Sequence, residues 1–279
     1  MLKQRIQTGL LIGVALIAAA CWLPTRAVPV VLLVLCAAAQ WEFYALLDAA
    51  HMPHFKFVGL LGGLALIVST WLSHGKTYDG DWAVLYVLTI LVFLRQFPQK
   101  NNPQPLATMG GTLLGVMYVP FLFNFFTHLL RAWGDPAGRL LVLYLVVVVK
   151  MTDVGAFFIG CGIGRHKLIP RISPAKTWEG CIGGVLTGIL ASVLFYAFSH
   201  GNLHAVRFSF ADALVLGALL AVTGTVGDLT ESLFKRASGV KDSGRIVLGM
   251  GGLLDVFDSL LFAAPALFIY ARFFLETIH

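Results

Sequence analysis

Eight of the fourteen acidic residues fall between positions 153 and 258, among them Asp153, Glu179, Asp228, Glu231, Asp242, Asp255 and Asp258. Asp228 and Glu231 stand three apart in VGDLTESLFKRA, and Lys235 follows four residues after Glu231. Asp255 and Asp258 stand three apart in GMGGLLDVFDSLLFAAP, where almost every neighbour is apolar. On a helix these spacings put each set on one face. Two such faces on helices joined by one short loop are expected to meet. Internal ion pairing is one outcome, Glu231 with Lys235 and Lys150 with Asp153. Asp255 and Asp258, however, have no basic residue within one turn. Clustered carboxylates without local bases suit a divalent cation, and an oxygen-only ligand set suits Mg²⁺, which keeps waters and bridges to phosphates. The candidate metal ligands are Asp228, Glu231, Asp255 and Asp258.

Gly249, Gly251 and Gly252 precede the second acidic pair. Open backbone N–H groups before a helix N-terminus can hold an anion. Glycine there also permits a tight turn, and on spacing alone the two readings are level. KDSGR at 241–245 adds positive charge next to the glycines. A second polar cluster, GRHKLIPRISPAKTWEGCIGG at 164–184, crowds Lys167, Arg171, Lys176, Ser173, Thr177 and Glu179 ahead of an apolar run. It reads either as a basic anchor with a helix start or as a site for anionic groups.

The elements carrying these residues must lie in a membrane. The chain has 279 residues, 58% hydrophobic and 12% charged, whereas a soluble domain is about a quarter charged. Continuous apolar runs recur at lengths that cross a hydrocarbon core of about 30 Å. The expected fold is all-α and polytopic, with about nine transmembrane helices over 8–24, 28–47, 57–73, 82–97, 106–130, 138–160, 177–199, 211–234 and 251–274. The first run is read as a retained helix rather than a signal peptide, because the next apolar run follows at once. A carboxylate at the bilayer centre costs about 2.5–3.5 kcal/mol, so the acids must face a protein interior or a wet cavity.

With nine spans and an inside N-terminus, thirteen Lys and Arg fall in loops on the cytoplasmic side and five on the other. This bias places 161–176 and 235–250 together at the cytoplasmic face. The net charge of +6 then suits anionic headgroups and phosphates rather than nucleic acid. Cys21, Cys36, Cys161 and Cys181 form no C-x-x-C pair and read as small buried hydrophobes. The organisation expected is a hydrophobic scaffold over 1–137, with few charges inside its spans, and a catalytic membrane domain over 138–279.

ISPAKTWEG (172–180), GDLTESLFKRASGVKDSGRIVLGMGGLLDVFDS (227–259) and TDVGAFFIGCGIGRHKL (152–168) resemble the phosphatidate cytidylyltransferase (CDP-diacylglycerol synthase) family over roughly 150–265. The resemblance implies an integral membrane enzyme that joins CTP to phosphatidate, giving CDP-diacylglycerol and pyrophosphate with Mg²⁺ or another divalent cation. It implies catalytic roles for Asp228, Lys241, Asp255 and Asp258, with Glu231 beside the cation. It implies phosphate binding by Ser173, Lys176, Thr177, Lys235 and Lys241, beside Gly249, Gly251 and Gly252. The implied partners are CTP, phosphatidate and the lipid bilayer, without nucleic acid, and a homodimer is left open. The implied location is the bacterial inner membrane, with the active site facing the cytoplasm.

The chain departs from the family pattern at Leu248, Met250 and Val256, where proline, histidine and arginine are usual. Met250 cannot move a proton and Val256 cannot hold a phosphate. Phosphoryl-type transfer depends mostly on positioning and electrostatics, so activity is expected to survive these changes. Two rival readings remain at this level: a CTP-dependent lipid-alcohol kinase, and an ion-coupled transporter using the same buried acids.

Overall fold

The computed structural model describes residues 23–73, 79–244 and 251–277. The expected span at 8–24 therefore lies almost wholly outside the described residues. The other eight expected spans are all helical, and six helices are long and apolar enough to cross a membrane. The chain is a multi-pass integral membrane protein. It divides into two compact units, and the division is not a single cut: 23–132 groups with 234–256, and 133–233 groups with 257–277. Residues 234–244 and 251–256 thus group with the helices of the first half.

In the first unit, α1 (Val28–Ala49), α2 (Lys56–Leu72) and α3 (Asp79–Gln96) are followed by α4 (Pro105–Val116), a π-helical turn (Met117–Phe121) and α5 (Leu122–Ala132). Pro120 sits inside the π turn. Proline has no N–H for the helical ladder, and an i→i+5 turn absorbs that loss without ending the helix. The result is one apolar element of 28 residues, Pro105–Ala132. Leu66, Leu88, Val92 and Val116 form a buried cluster. Phe234 closes on Phe43 and Tyr118 at ring-centroid distances of 5.2 and 4.8 Å, which ties the 234–256 segment into this unit.

The few ionisable groups of this unit include buried ones. Asp81 and His128 are buried, with His128 Nε2 2.6 Å from Asp81 Oδ2. Thr70 Oγ1 donates to Asp81 Oδ1 at 2.6 Å, and Asn124 Nδ2 donates to Asp81 Oδ2 at 3.2 Å. Glu42 on α1 is buried as well.

The second unit contains α6 (Ala137–Ile163), a hairpin of β1 (Lys167–Ile169) and β2 (Ser173–Thr177), and α7 (Trp178–Ser199). It continues through β3 (Val206–Arg207), most of α8 (Phe210–Ala237), α9 (Leu254–Phe274) from Phe257 onward, and β4 (Glu276–Thr277), which pairs antiparallel with β3. On α7, the buried positions Gly180, Gly183, Gly184, Gly188 and Ala191 line one side. Ile182, Leu186, Leu190, Leu194 and Phe198 line the other and are exposed. A full-length apolar stripe of this kind is stable in lipid rather than water. A Cβ added at Gly180 would press on the Ala156 carbonyl of α6 at 2.8 Å. Glycine is what allows α6 and α7 to approach backbone to backbone. Of the cysteines, Cys36 is buried as expected, Cys161 is exposed at the end of α6, and Cys181 is intermediate.

Candidate active site

Three helices and the hairpin of the second unit converge on one charged cluster. α6 contributes Lys150 and Asp153, whose side chains are 3.3 Å apart. One turn of helix separates them, so this pair is local. α8 contributes Asp228, and the β2 strand brings Lys176 Nζ to 2.6 Å from Asp228 Oδ2. α9 contributes Asp258, which is buried and within electrostatic reach of Asp228, Asp153 and Lys150. Asp258 Oδ1 also accepts from the Ser259 N–H at 2.5 Å and the Ser259 hydroxyl at 3.0 Å. α8 and α9 approach closely because Gly227 has no side chain: a Cβ there would collide with the Asp258 carbonyl oxygen.

The hairpin that carries Lys176 was expected as a loop ahead of the 177–199 span. It forms strands because Pro170 and Pro174 interrupt helical hydrogen bonding, and the helix begins only at Trp178. Thr177 is its N-cap, accepting from the Gly180 N–H at 3.1 Å. Glu179 turns back to the hairpin, accepting from the Arg165 N–H at 3.1 Å and contacting His166 Nδ1 at 2.6 Å. Its role is to hold the strand entry. Ser173 lies on β2, half-buried. Glu231 is fully buried on α8.

The first unit holds a separate network. Lys235 Nζ is 2.6 Å from Asp255 Oδ1. Asp255 Oδ2 accepts from the Gly252 N–H at 2.6 Å, the Ser243 hydroxyl at 2.8 Å and the Ser243 N–H at 3.2 Å. The two aspartates of DVFD therefore have different surroundings. Asp255 does have a basic partner, Lys235, twenty residues away in sequence. Lys241 is exposed beside this network. Gly251 has φ +105°, and a Cβ there would strike the Asp255 carboxylate. Of the three loop glycines, Gly251 thus serves the turn. Gly249 and Met250 lie outside the described residues. Val256 is buried.

The structure thus brings Asp228, Asp258 and Lys176 together, with Lys150 and Asp153 added, and brings Lys235 and Asp255 together elsewhere. Among the described residues, no three acidic, histidine or cysteine side chains form a ready metal-ligand set. The cluster of the second unit nonetheless suits a hard cation. Three carboxylates face two lysines there, leaving net negative charge partly buried in oxygen ligands alone. Sequence reasoning missed Glu42, whose Oε2 accepts the Leu254 N–H at 2.8 Å at the start of α9. The signal was present: a single carboxylate in the apolar run VLLVLCAAAQWEFYALL is costly unless it has a task.

Comparison with known proteins gives a consistent result. The cytidylyltransferase family model matches residues 3–274. A phosphatidate cytidylyltransferase from Haemophilus influenzae is 33% identical over 252 residues, 84% of this chain and 85% of its own. One from Bacillus subtilis is 32% identical over 243 residues, 82% of this chain and 85% of its own. One from Staphylococcus aureus is 35% identical over 233 residues, 80% and 84% of the two chains. With a match running over nearly its whole length, and with the acids and lysines of both motifs in place, the chain belongs to the cytidylyltransferase family.

Proposed function

We propose that the protein is a phosphatidate cytidylyltransferase, converting CTP and phosphatidate to CDP-diacylglycerol and pyrophosphate in phospholipid synthesis. The observation that carries this reading is the Lys150–Asp153–Lys176–Asp228–Asp258 cluster, built from the segments that the family shares. A phosphate oxygen of phosphatidate attacks the α-phosphorus of CTP, and the bond from the α-phosphorus to the bridging oxygen breaks, releasing pyrophosphate. The attacking phosphate is already ionised at neutral pH, so little base catalysis is required. The demand is to hold two anionic substrates together.

Asp228 and Asp258 are the proposed ligands of a divalent cation, with Asp153 beside them. Such an ion supplies charge neutralisation at phosphate oxygens. Lys176 Nζ is buried 2.6 Å from Asp228 Oδ2 and is proposed to neutralise a substrate phosphate held beside that carboxylate. Ser173, on the same strand, is proposed as a hydroxyl donor to phosphate. Thr177 keeps its hydrogen for a second donation while its oxygen caps α7. In the other unit, the exposed Lys241 is proposed to neutralise phosphate charge as well. Lys235 and Asp255 are assigned to holding that loop. The basic loops at 161–176 and 235–250 support an active site on the cytoplasmic face of a bacterial inner membrane.

The test uses the purified protein in phosphatidate-containing nanodiscs with CTP labelled at one phosphorus. Label from the α-phosphate appearing in the lipid, with unlabelled lipid from γ-labelled CTP, supports cytidylyl transfer. Label from the γ-phosphate in the lipid would identify a kinase instead. No lipid label from either, with retained folding, would reject both enzymatic readings.

A further inference from the structure

Glu42 lies on α1, 212 residues before Leu254, yet its carboxylate sits against Gly244 and Gly252. Its Oε2 accepts the Leu254 N–H at 2.8 Å, at the N-terminus of α9. Gly244 and Gly252 both press on it: a Cβ at either position would collide with a Glu42 carboxylate oxygen. Glu42 is 3% exposed, and its Oε1 has no hydrogen-bond partner among the described residues.

These contacts connect directly to Asp255. Gly252 packs on Glu42 through its Cα and gives its N–H to Asp255. Gly244 packs on Glu42, and its neighbour Ser243 donates to Asp255. Two carboxylates therefore hold the two ends of the loop, Glu42 from α1 and Asp255 from α9. A negative group at a helix N-terminus also favours the helix dipole, so Glu42 acts as a long-range cap for α9. A buried carboxylate is expensive to keep in an apolar helix, which argues for a specific task.

We infer that Glu42 is a positioning residue for the proposed reaction: it fixes residues 243–244 and 252–254 and the first turn of α9, and through them the placement of Asp255 and of the neighbouring Lys241. It touches no substrate. The inference rests on the proposed cytidylyltransferase reading for its kinetic consequence, but not for its structural one.

The test compares Glu42→Ala and Glu42→Gln with the wild type in phosphatidate nanodiscs. Glutamine keeps the length and one acceptor for the Leu254 N–H, whereas alanine removes both. Hydrogen–deuterium exchange of peptides covering 251–256 is expected to speed up at least tenfold in Glu42→Ala, with peptides from α6 and α7 unchanged. Glu42→Gln is expected to restore most of the protection. In the CTP assay, Glu42→Ala should raise KM for CTP about tenfold, and Glu42→Gln should recover most of that loss. Unchanged exchange over 251–256 in Glu42→Ala overturns the inference. Equal acceleration in α6 and α7 also overturns it, because Glu42 would then serve general stability. If the exchange pattern holds while the wild type makes no CDP-lipid, the positioning role stands and the proposed function fails.

Discussion

Lys176 Nζ lies 2.6 Å from Asp228 Oδ2, joining the hairpin between α6 and α7 to the middle of α8. The residues are 52 positions apart in the chain. Each comes from a different family motif; the side chains are 25% and 32% exposed as a whole, while Lys176 Nζ itself is buried. Replacing either charge by a neutral group of similar size tests what the pair does for the reaction.

Lys176→Gln and Asp228→Asn are each expected to lower kcat/KM for CTP-dependent CDP-lipid formation about 100-fold, with melting temperatures close to wild type. The double variant should be far from additive, because both residues serve one cluster. Steady-state kinetics and thermal melting of the four proteins check this. Wild-type rates in both single variants would make the pair incidental.

The two aspartates of DVFD should behave differently. Asp258 faces Asp228 and is a proposed cation ligand, so Asp258→Asn should raise the Mg²⁺ concentration for half-maximal activity about tenfold or more. Asp255 is held by Lys235, Ser243 and Gly252. Asp255→Asn should lower activity without a comparable change in Mg²⁺ requirement, and Lys235→Gln should reproduce it. Titrating Mg²⁺ in each variant separates the cases, and identical shifts for both aspartates would contradict the assignment.

Gly227→Ala places a methyl group against the Asp258 carbonyl, a backbone atom that cannot rotate away. Separating α8 from α9 is expected to cost about 1–3 kcal/mol. Activity should fall as well, since Asp258 moves with its backbone. Thermal unfolding in detergent, beside the CTP assay, measures both. An unchanged melting temperature would mean the helices accommodate the methyl.

His128→Leu tests the buried polar group of the first unit. Removing His128 takes away the 2.6 Å contact to Asp81 and leaves a buried carboxylate less well satisfied. The expected loss is about 1–3 kcal/mol of stability, with KM for CTP unchanged. A changed KM at wild-type stability would give this cluster a role in the reaction.

Expression of single cysteines in a background free of native cysteine checks orientation. Arg171→Cys on the hairpin and Asp242→Cys in the α8–α9 loop are both expected to react with an impermeant thiol reagent from the cytoplasmic side only. Reaction from opposite sides would reject the shared cytoplasmic face inferred from the thirteen-to-five distribution of basic residues.

The sequence alone determined the membrane class, the positions of eight helices and the residues that carry charge into them. Those properties are local: an apolar run declares its length, and a carboxylate inside it declares its cost. The convergence of Asp228 with Asp258 was also legible, because i, i+3 spacing on two neighbouring helices leaves few other arrangements. Tertiary structure decided which base each acid meets. Lys235 meets Asp255, twenty residues on, and Lys176 meets Asp228 because the segment expected as a loop before the 177–199 span folds into a hairpin. Tertiary structure also decided that 234–256 groups with the first-half helices and that Glu42 caps α9. No helical period connects positions 42 and 254; only packing of the folded chain brings a carboxylate from one to an N–H of the other.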